Sequence, residues 1–125
     1  MNENEISYVV RGCIFEVYNQ LGPGLLESVY QSAMYLELKN KGLRVRRKVP
    51  LPVHYKGIKL DVGFRLDLLV EDKVIIELKS LECILNLHHK QLLIYLKITD
   101  KKLGILVNFN VEFITDGIYR KVNGL

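Results

Sequence analysis

Residues Arg65–Lys79 constrain the fold more than any other stretch. They read Arg-Leu-Asp-Leu-Leu-Val, then a charged break Glu71-Asp72-Lys73, then Val-Ile-Ile-Glu-Leu-Lys. These are two apolar strands with charges where a buried sheet should have none. Strand side chains alternate between faces. Phe64, Leu66, Leu68 and Val70 are therefore predicted to share one face, with Asp67 on the other. Glu77 and Lys79 sit two apart and share a face. A three-residue hairpin loop at Glu71-Asp72-Lys73 would pair Val70 with Val74 and set Asp67 opposite Glu77. Opposed side chains have Cβ atoms roughly 4.5–5.5 Å apart. Two ionised carboxylates at that range repel, so one takes up a proton unless a cation lies between them. Lys79 can neutralise part of the charge. Mg²⁺ or Mn²⁺, which suit carboxylate oxygens, would do it better. Such a loop favours glycine at its left-handed position, and none of the three residues is glycine.

The rest of the chain narrows the classes. Its 125 residues predict one domain spanning 1–125,. At 49% hydrophobic, with many Val, Ile and Leu residues, it can bury a core and is not disordered,. No apolar run approaches the roughly 18 residues of a membrane helix, so no membrane partner is expected. The N-terminal Met-Asn-Glu-Asn-Glu lacks the basic region and cleavage site of a secretory signal,. Cys13 and Cys83 form no CxxC pair, and Cys13 falls on an apolar helical stripe,. A reduced, cytoplasmic protein is expected. The net charge of +4 permits a nucleic-acid partner without requiring one,.

In chain order, Asn4 to Gln20 reads as a helix, with Ile6, Val9, Val10, Cys13, Ile14, Val17, Tyr18 and Leu21 at spacings of three and four,. Gly22-Pro23-Gly24 ends it. A second helix, about Leu25 to Lys41, buries Leu26, Val29, Tyr30, Ala33, Met34 and Leu38, with Gly42 as its C-terminal cap,. Glu27 lies in its first turn, where an acid commonly serves only the helix dipole. Val45–Tyr55 alternates at odd positions, but Pro50 and Pro52 make it an edge strand or one broken by a bulge,. Its cluster Arg44, Arg46, Arg47 and Lys48 suits either an edge that resists aggregation or phosphate contact. Lys56-Gly57 turns into the strand Ile58–Val70. The odd face of that strand, Lys59, Asp61, Gly63, Arg65 and Asp67, suggests a cleft. A third helix runs from Asn86, its expected cap, to about Ile98. His88, Gln91 and Tyr95 line one of its faces,. Leu103–Phe109 is a buried strand. Asp116-Gly117 is predicted to join strands Val111–Thr115 and Ile118–Val122. The expected class is α/β, a mixed β-sheet flanked by helices in the order α-α-β-β-β-α-β-β.

That order, with Asp67 followed by Glu77-Leu78-Lys79 at the end of an apolar strand and a helix next, resembles the restriction-endonuclease-like PD-(D/E)XK nuclease superfamily. Gly24-Leu25-Leu26-Glu27-Ser28-Val29-Tyr30 resembles the signature of its GxxExxY family, as do Gln91–Leu96, Leu103–Phe109 and Asp116-Gly117-Ile118 with Arg120. The resemblance runs from about Ile6 to Val122. It implies that Asp67, Glu77 and the Leu78 carbonyl hold Mg²⁺ or Mn²⁺ and that Lys79 orients the attacking water. It also implies that Glu27 joins from the N-terminal helix and that Gln91 contacts water or phosphate. Leu66 replaces the proline of the superfamily's name.

The implied activity is metal-dependent phosphodiester hydrolysis of nucleic acid, with DNA the expected form. Arg44, Arg46, Arg47, Lys48, Arg65, His88 and Tyr95 are the expected contacts. Backbone contacts position rather than specify, so little sequence specificity is expected. A chain this short would gain target recognition from a homodimer or a partner protein. The alternative is a catalytically silent binding module on the same fold. A closed ion network of Asp67, Glu77 and Lys79 would favour that alternative.

Overall fold

Asn2 starts the first helix through a capping box. Its Oδ1 accepts the Glu5 N–H at 2.8 Å, and Glu5 Oε1 accepts the Asn2 N–H at 2.9 Å,. In the computed structural model, which describes residues 1–125, this helix is α1, Glu3–Leu21, and it buries Ile6, Val10, Cys13, Ile14 and Val17. The second helix, α2, spans Glu27–Asn40 and buries Tyr30, Met34 and Leu38. Gly42 follows at φ 81°, in the left-handed conformation that closes a helix,.

Five strands make one sheet: β1 Val45–Tyr55, β2 Ile58–Val70, β3 Val74–Lys79, β4 Leu103–Asn108 and β5 Ile118–Val122. They lie in chain order, with β3 and β4 parallel and every other pair antiparallel. The third helix, α3, Asn86–Thr99, supplies the crossover between β3 and β4, which a parallel pair requires. The result is the expected mixed α/β sheet flanked by helices. One core lies between the sheet and α1 and α2; it holds Tyr30, Met34, Leu68, Val70, Ile76, Leu78 and Val107. A smaller one lies against α3 and holds Leu66, Leu69, Ile75, Leu92, Leu96 and Leu106. Both faces of the sheet are covered, so Val74-Ile75-Ile76 is buried on both sides,.

The alternation expected along β2 fails at one rung. Leu66 packs toward α3, whereas Leu68 and Val70 pack toward α1 and α2. The partner strand changes face at the same place: Val45 packs with α1 and α2, and Val49 and Leu51 with α3. The β1–β2 register runs unshifted from Val45↔Val70 to Val49↔Leu66, but Lys48 and Asp67 do not pair. Lys48 is left-handed there, with φ 53°. A side chain held in that region turns the strand over. Phe64, Leu66, Leu68 and Val70 therefore do not share a face, and the switch falls at Asp67.

One further expectation holds and two are corrected. The hairpin loop does form, with Val70 paired to Val74, but without glycine. Glu71 and Asp72 both take positive φ, 52° and 55°. The Glu71 carboxylate is held by the Arg44 N–H and Nε, each at 3.0 Å, and this tie offsets the strain. The α3 cap is Leu85 rather than Asn86, because His88 Nδ1 accepts the Leu85 N–H at 2.9 Å. Val111–Thr115 is not a strand. The Tyr18 hydroxyl sits 2.6 Å from the carbonyls of Val111 and of Glu112, which takes them out of any ladder. Ile114–Gly117 forms a short 3-10 turn, and β5 pairs with β4 instead. A Cβ on Gly117 would lie 2.2 Å from the Asn108 carbonyl oxygen. Gly117→Ala is therefore expected to cost about 1–3 kcal/mol, as overpacked sites do, measurable by urea unfolding.

Candidate functional site

The regular β2–β3 ladder ends at Leu68↔Ile76. At the next rung, side chains take over from backbone. The Asp67 N–H donates to Glu77 Oε1 at 3.3 Å, and Asp67 Oδ2 accepts the Leu78 N–H at 2.8 Å. The structure thus brings Asp67, Glu77 and Leu78 together. The face switch at Lys48 is what aims Asp67 across at β3.

Glu77 is 7% exposed. Burial pushes its carboxyl up to about 9, and the charge of Asp67 pushes the same way; the Asp67 N–H and the Lys79 charge pull against it. Lys79, half-buried, makes no ion pair within 4 Å; the chain's two ion pairs are Arg44–Glu71 and Lys101–Asp72. Asp67, Glu77 and Lys79 therefore do not form a closed network. Two adjacent acids in a dry setting, with one free ammonium near them, carry a surplus of negative charge. Their donors are hard oxygens, and the fit is to a small divalent cation rather than to a soft metal. No three His, Cys, Asp or Glu side chains gather at one point, so Glu27 is not drawn into a three-acid cluster with the pair.

Glu27 is the first residue of α2, half-buried. The loop before it is fastened by Tyr30, which the sequence assigns to the core stripe and to the GxxExxY signature without a hydrogen-bonding role. Gly24 is left-handed at φ 89°. The Tyr30 hydroxyl donates to the Gly22 carbonyl at 2.6 Å and accepts the Leu25 N–H at 3.1 Å. Ser80 Oγ, one residue beyond β3, donates to the Leu25 carbonyl at 2.6 Å. The start of α2 is thereby tied to the end of β3, beside Lys79. Behind it the Tyr30 and Phe109 rings stack with centroids 4.2 Å apart, and the Phe109 N–H donates to the Lys79 carbonyl at 2.9 Å. Tyr30→Phe keeps the stack but leaves two backbone groups unpaired. It is expected to cost about 1–3 kcal/mol, readable as a lower thermal midpoint.

Asn108 was also missed. It is 2% exposed, and its side chain both donates to the Leu81 carbonyl at 2.9 Å and accepts the Leu81 N–H at 3.0 Å. It fixes the chain as it leaves β3. The available signal was a polar residue ending the apolar run Leu103–Val107.

On α3, Gln91 and Tyr95 are half-buried. Tyr95 packs against Phe64 at 5.2 Å between centroids. Burial raises its phenol, and the charges of Glu77 and Asp67 add to the rise, which puts Tyr95 within the field of the acid pair. His88 is committed by Nδ1 to the start of α3. Of the basic residues, Arg44 is held by Glu71, and Arg47 lies 4.6 Å over the Tyr35 ring. Arg46, Lys48 and Arg65 are exposed. The largest cleft is not at the acid pair. It runs along the β1–β2 hairpin, lined by the odd-face residues Lys59, Asp61, Gly63 and Arg65 among others.

A model of the PD-(D/E)XK nuclease superfamily matches residues 4–121. No curated protein matches. Among solved structures, the chain is similar to the crystal structure of SSO0001. The identity is 23% and the TM-score 0.59, over 79% of this chain and 51% of that one. That likeness is one of fold, and this chain spans about half the length of SSO0001. No helix is long and apolar enough to cross a membrane.

Proposed function

We propose, for a chain that belongs to the PD-(D/E)XK nuclease superfamily, that residues 1–125 form one metal-dependent nuclease domain hydrolysing phosphodiester bonds of DNA with little sequence preference. The observation that carries this is the buried Glu77 hydrogen-bonded to the half-buried Asp67, with Lys79 left unpaired beside them. Nucleases of this superfamily generally use divalent metals, and Asp67, Glu77 and the Leu78 carbonyl would hold Mg²⁺ or Mn²⁺. Bound there, the ion would polarise the phosphate and lower the pKa of water.

The remaining work falls to the chain's own groups. Lys79, free of a carboxylate partner, can hydrogen-bond and orient the attacking water. Tyr95 on α3 feels the charges of the acid pair and is suited to a phosphate oxygen; Gln91, one turn earlier on the same helix, would join it. Arg46, Lys48 and Arg65 are exposed for backbone contact, as is the outer face of His88. Glu27 would support the site from its rim, a reading favoured by the tie of Leu25 to Ser80 at the end of β3. The GxxExxY resemblance gains support from Tyr30, whose hydroxyl holds the loop that delivers Glu27. A cytoplasmic setting, and a homodimer or partner that selects targets, complete the proposal. The silent-module alternative loses ground because Lys79 closes no ion network.

Calorimetric titration with Mn²⁺ and Mg²⁺, alone and with a short duplex, tests the proposal. Saturable binding is expected in the native chain and not in Asp67→Asn. Near pH 7, with Glu77 pushed up to about 9, binding should release about one proton. Buffers of different ionisation enthalpy will register it. A folded native chain that takes up no ion even with duplex present would sink the proposal.

A further inference from the structure

The positive charge of this chain is concentrated in one place. From Arg44 to Arg65, the β1–β2 hairpin carries seven lysines and arginines against one acid, Asp61, a formal +6. The remaining residues hold eleven basic and thirteen acidic side chains, a formal −2. Outward of Val53 on β1 and Phe64 on β2, the hairpin leaves both cores. Every residue from His54 to Gly63 is exposed. Among them are four large apolar side chains, Tyr55 at 61%, Ile58 at 67%, Leu60 at 37% and Val62 at 73%. The tip is a tight turn on Lys56 and Gly57, both at positive φ,. The Lys56 ammonium lies 5.5 Å from the Tyr55 ring centroid. The cleft on this arm ends at Arg65, two residues from Asp67.

Exposed aromatic and aliphatic groups on so basic an arm call for a partner that is anionic and also offers flat apolar faces. A second copy's arm would carry the same +6 and be repelled. An intact duplex supplies the charge but keeps its base faces in the stack. Nucleic acid with unpaired bases supplies both.

We propose that the β1–β2 hairpin is an arm that binds a nucleic-acid flank with unpaired bases, such as a fork or single-stranded extension. The position of the scissile phosphate relative to this arm rests on the nuclease proposal for Asp67 and Glu77. The basic side chains track phosphates, and Tyr55 and Ile58 lie against bases. Ile58 is nine residues from Asp67 along β2. At about 3.3 Å per residue, the tip stands about 30 Å from the acid pair. Stacked as in a duplex, a strand of that length holds about nine nucleotides at roughly 3.4 Å each, and an extended unpaired strand holds fewer. The recognised flank therefore extends at most about nine nucleotides from the bond that is cut.

The test is fluorescence anisotropy with a labelled fork and a blunt duplex of equal length, in an Asp67→Asn background so that nothing is cleaved. The fork is expected to bind about tenfold tighter than the blunt duplex, the size of effect that base stacking gives. Tyr55→Ser with Ile58→Ser should erase most of that preference. Lys56→Gln with Lys59→Gln should reduce the slope of log affinity against log salt by about 1.4–1.8, two phosphate contacts. All four side chains are exposed, and matching melting temperatures will verify the fold. Equal affinity for fork and duplex would overturn the proposal, as would variants that leave affinity and salt slope unchanged. So would variants that change only the oligomeric state in sedimentation, because the tip would then serve a second copy. A chain that binds forks through the arm yet cuts none would support the arm and count against the nuclease alone.

Discussion

Asp67→Asn is expected to lower nucleic-acid cleavage by about 10³-fold or more. The substitution removes one charge from the pair that would hold the ion, and Lewis-acid stabilisation is worth several kcal/mol. About 4 kcal/mol corresponds to that factor. The fold should survive, because an amide oxygen can still accept the Leu78 N–H that Asp67 Oδ2 now accepts at 2.8 Å. Cleavage of a labelled duplex, compared with calorimetric ion binding, separates the two effects. If Asp67→Asn binds no ion yet cleaves at the native rate, the acid pair is not the reaction centre. Lys79→Ala should show the opposite split, with ion binding kept and turnover lost.

Without metal, the protein should lose stability as the pH rises. Glu77 is pushed up to about 9 in the fold from about 4.5, so the folded chain holds a proton that the unfolded chain releases. The stabilisation from neutral Glu77 is complete below about pH 4.5 and is lost as the pH climbs toward 9. Within that window the slope approaches about 1.4 kcal/mol per pH unit. Glu77→Gln mimics the protonated form and should flatten the profile while abolishing cleavage. Saturating Mn²⁺ should flatten it as well, by holding the carboxylate ionised in the fold. Urea midpoints in EDTA from pH 5 to 9 measure all three. A native profile as flat as that of Glu77→Gln would mean the acid pair is not buried as described.

The central hairpin was legible because apolar runs and a charged break fix a register without reference to the rest of the chain. Leu68↔Ile76 and Val70↔Val74 pair as expected. Faces were less legible. The side-chain period of two assumes an unbroken strand, and nothing in Arg47-Lys48-Val49 announces a left-handed lysine. That conformation is imposed by the two cores, which require β1 and β2 to face α1 and α2 at one end and α3 at the other. The same limit explains Val111–Thr115. Its residues suit a strand, but Tyr18, some ninety residues away, claims the carbonyls of Val111 and Glu112. Asp67 and Glu77 stood out because acids inside apolar strands are conspicuous. Tyr30 and Asn108 did not, since a core tyrosine and a strand-end asparagine look ordinary until their long-range hydrogen bonds are seen.

The parallel β3–β4 pair, buried on both faces, has a consequence for motion. Its amides should be among the last to exchange with deuterium, opening only when the whole molecule unfolds. The outer arm, His54 to Gly63, has solvent on both faces and should exchange early. Glu77 thus rides on the stiffest part of the molecule, with Asp67 hydrogen-bonded to it from β2, and the hairpin tip on the most compliant. Such a division lets the arm adapt to many shapes of target while the reacting groups stay in register.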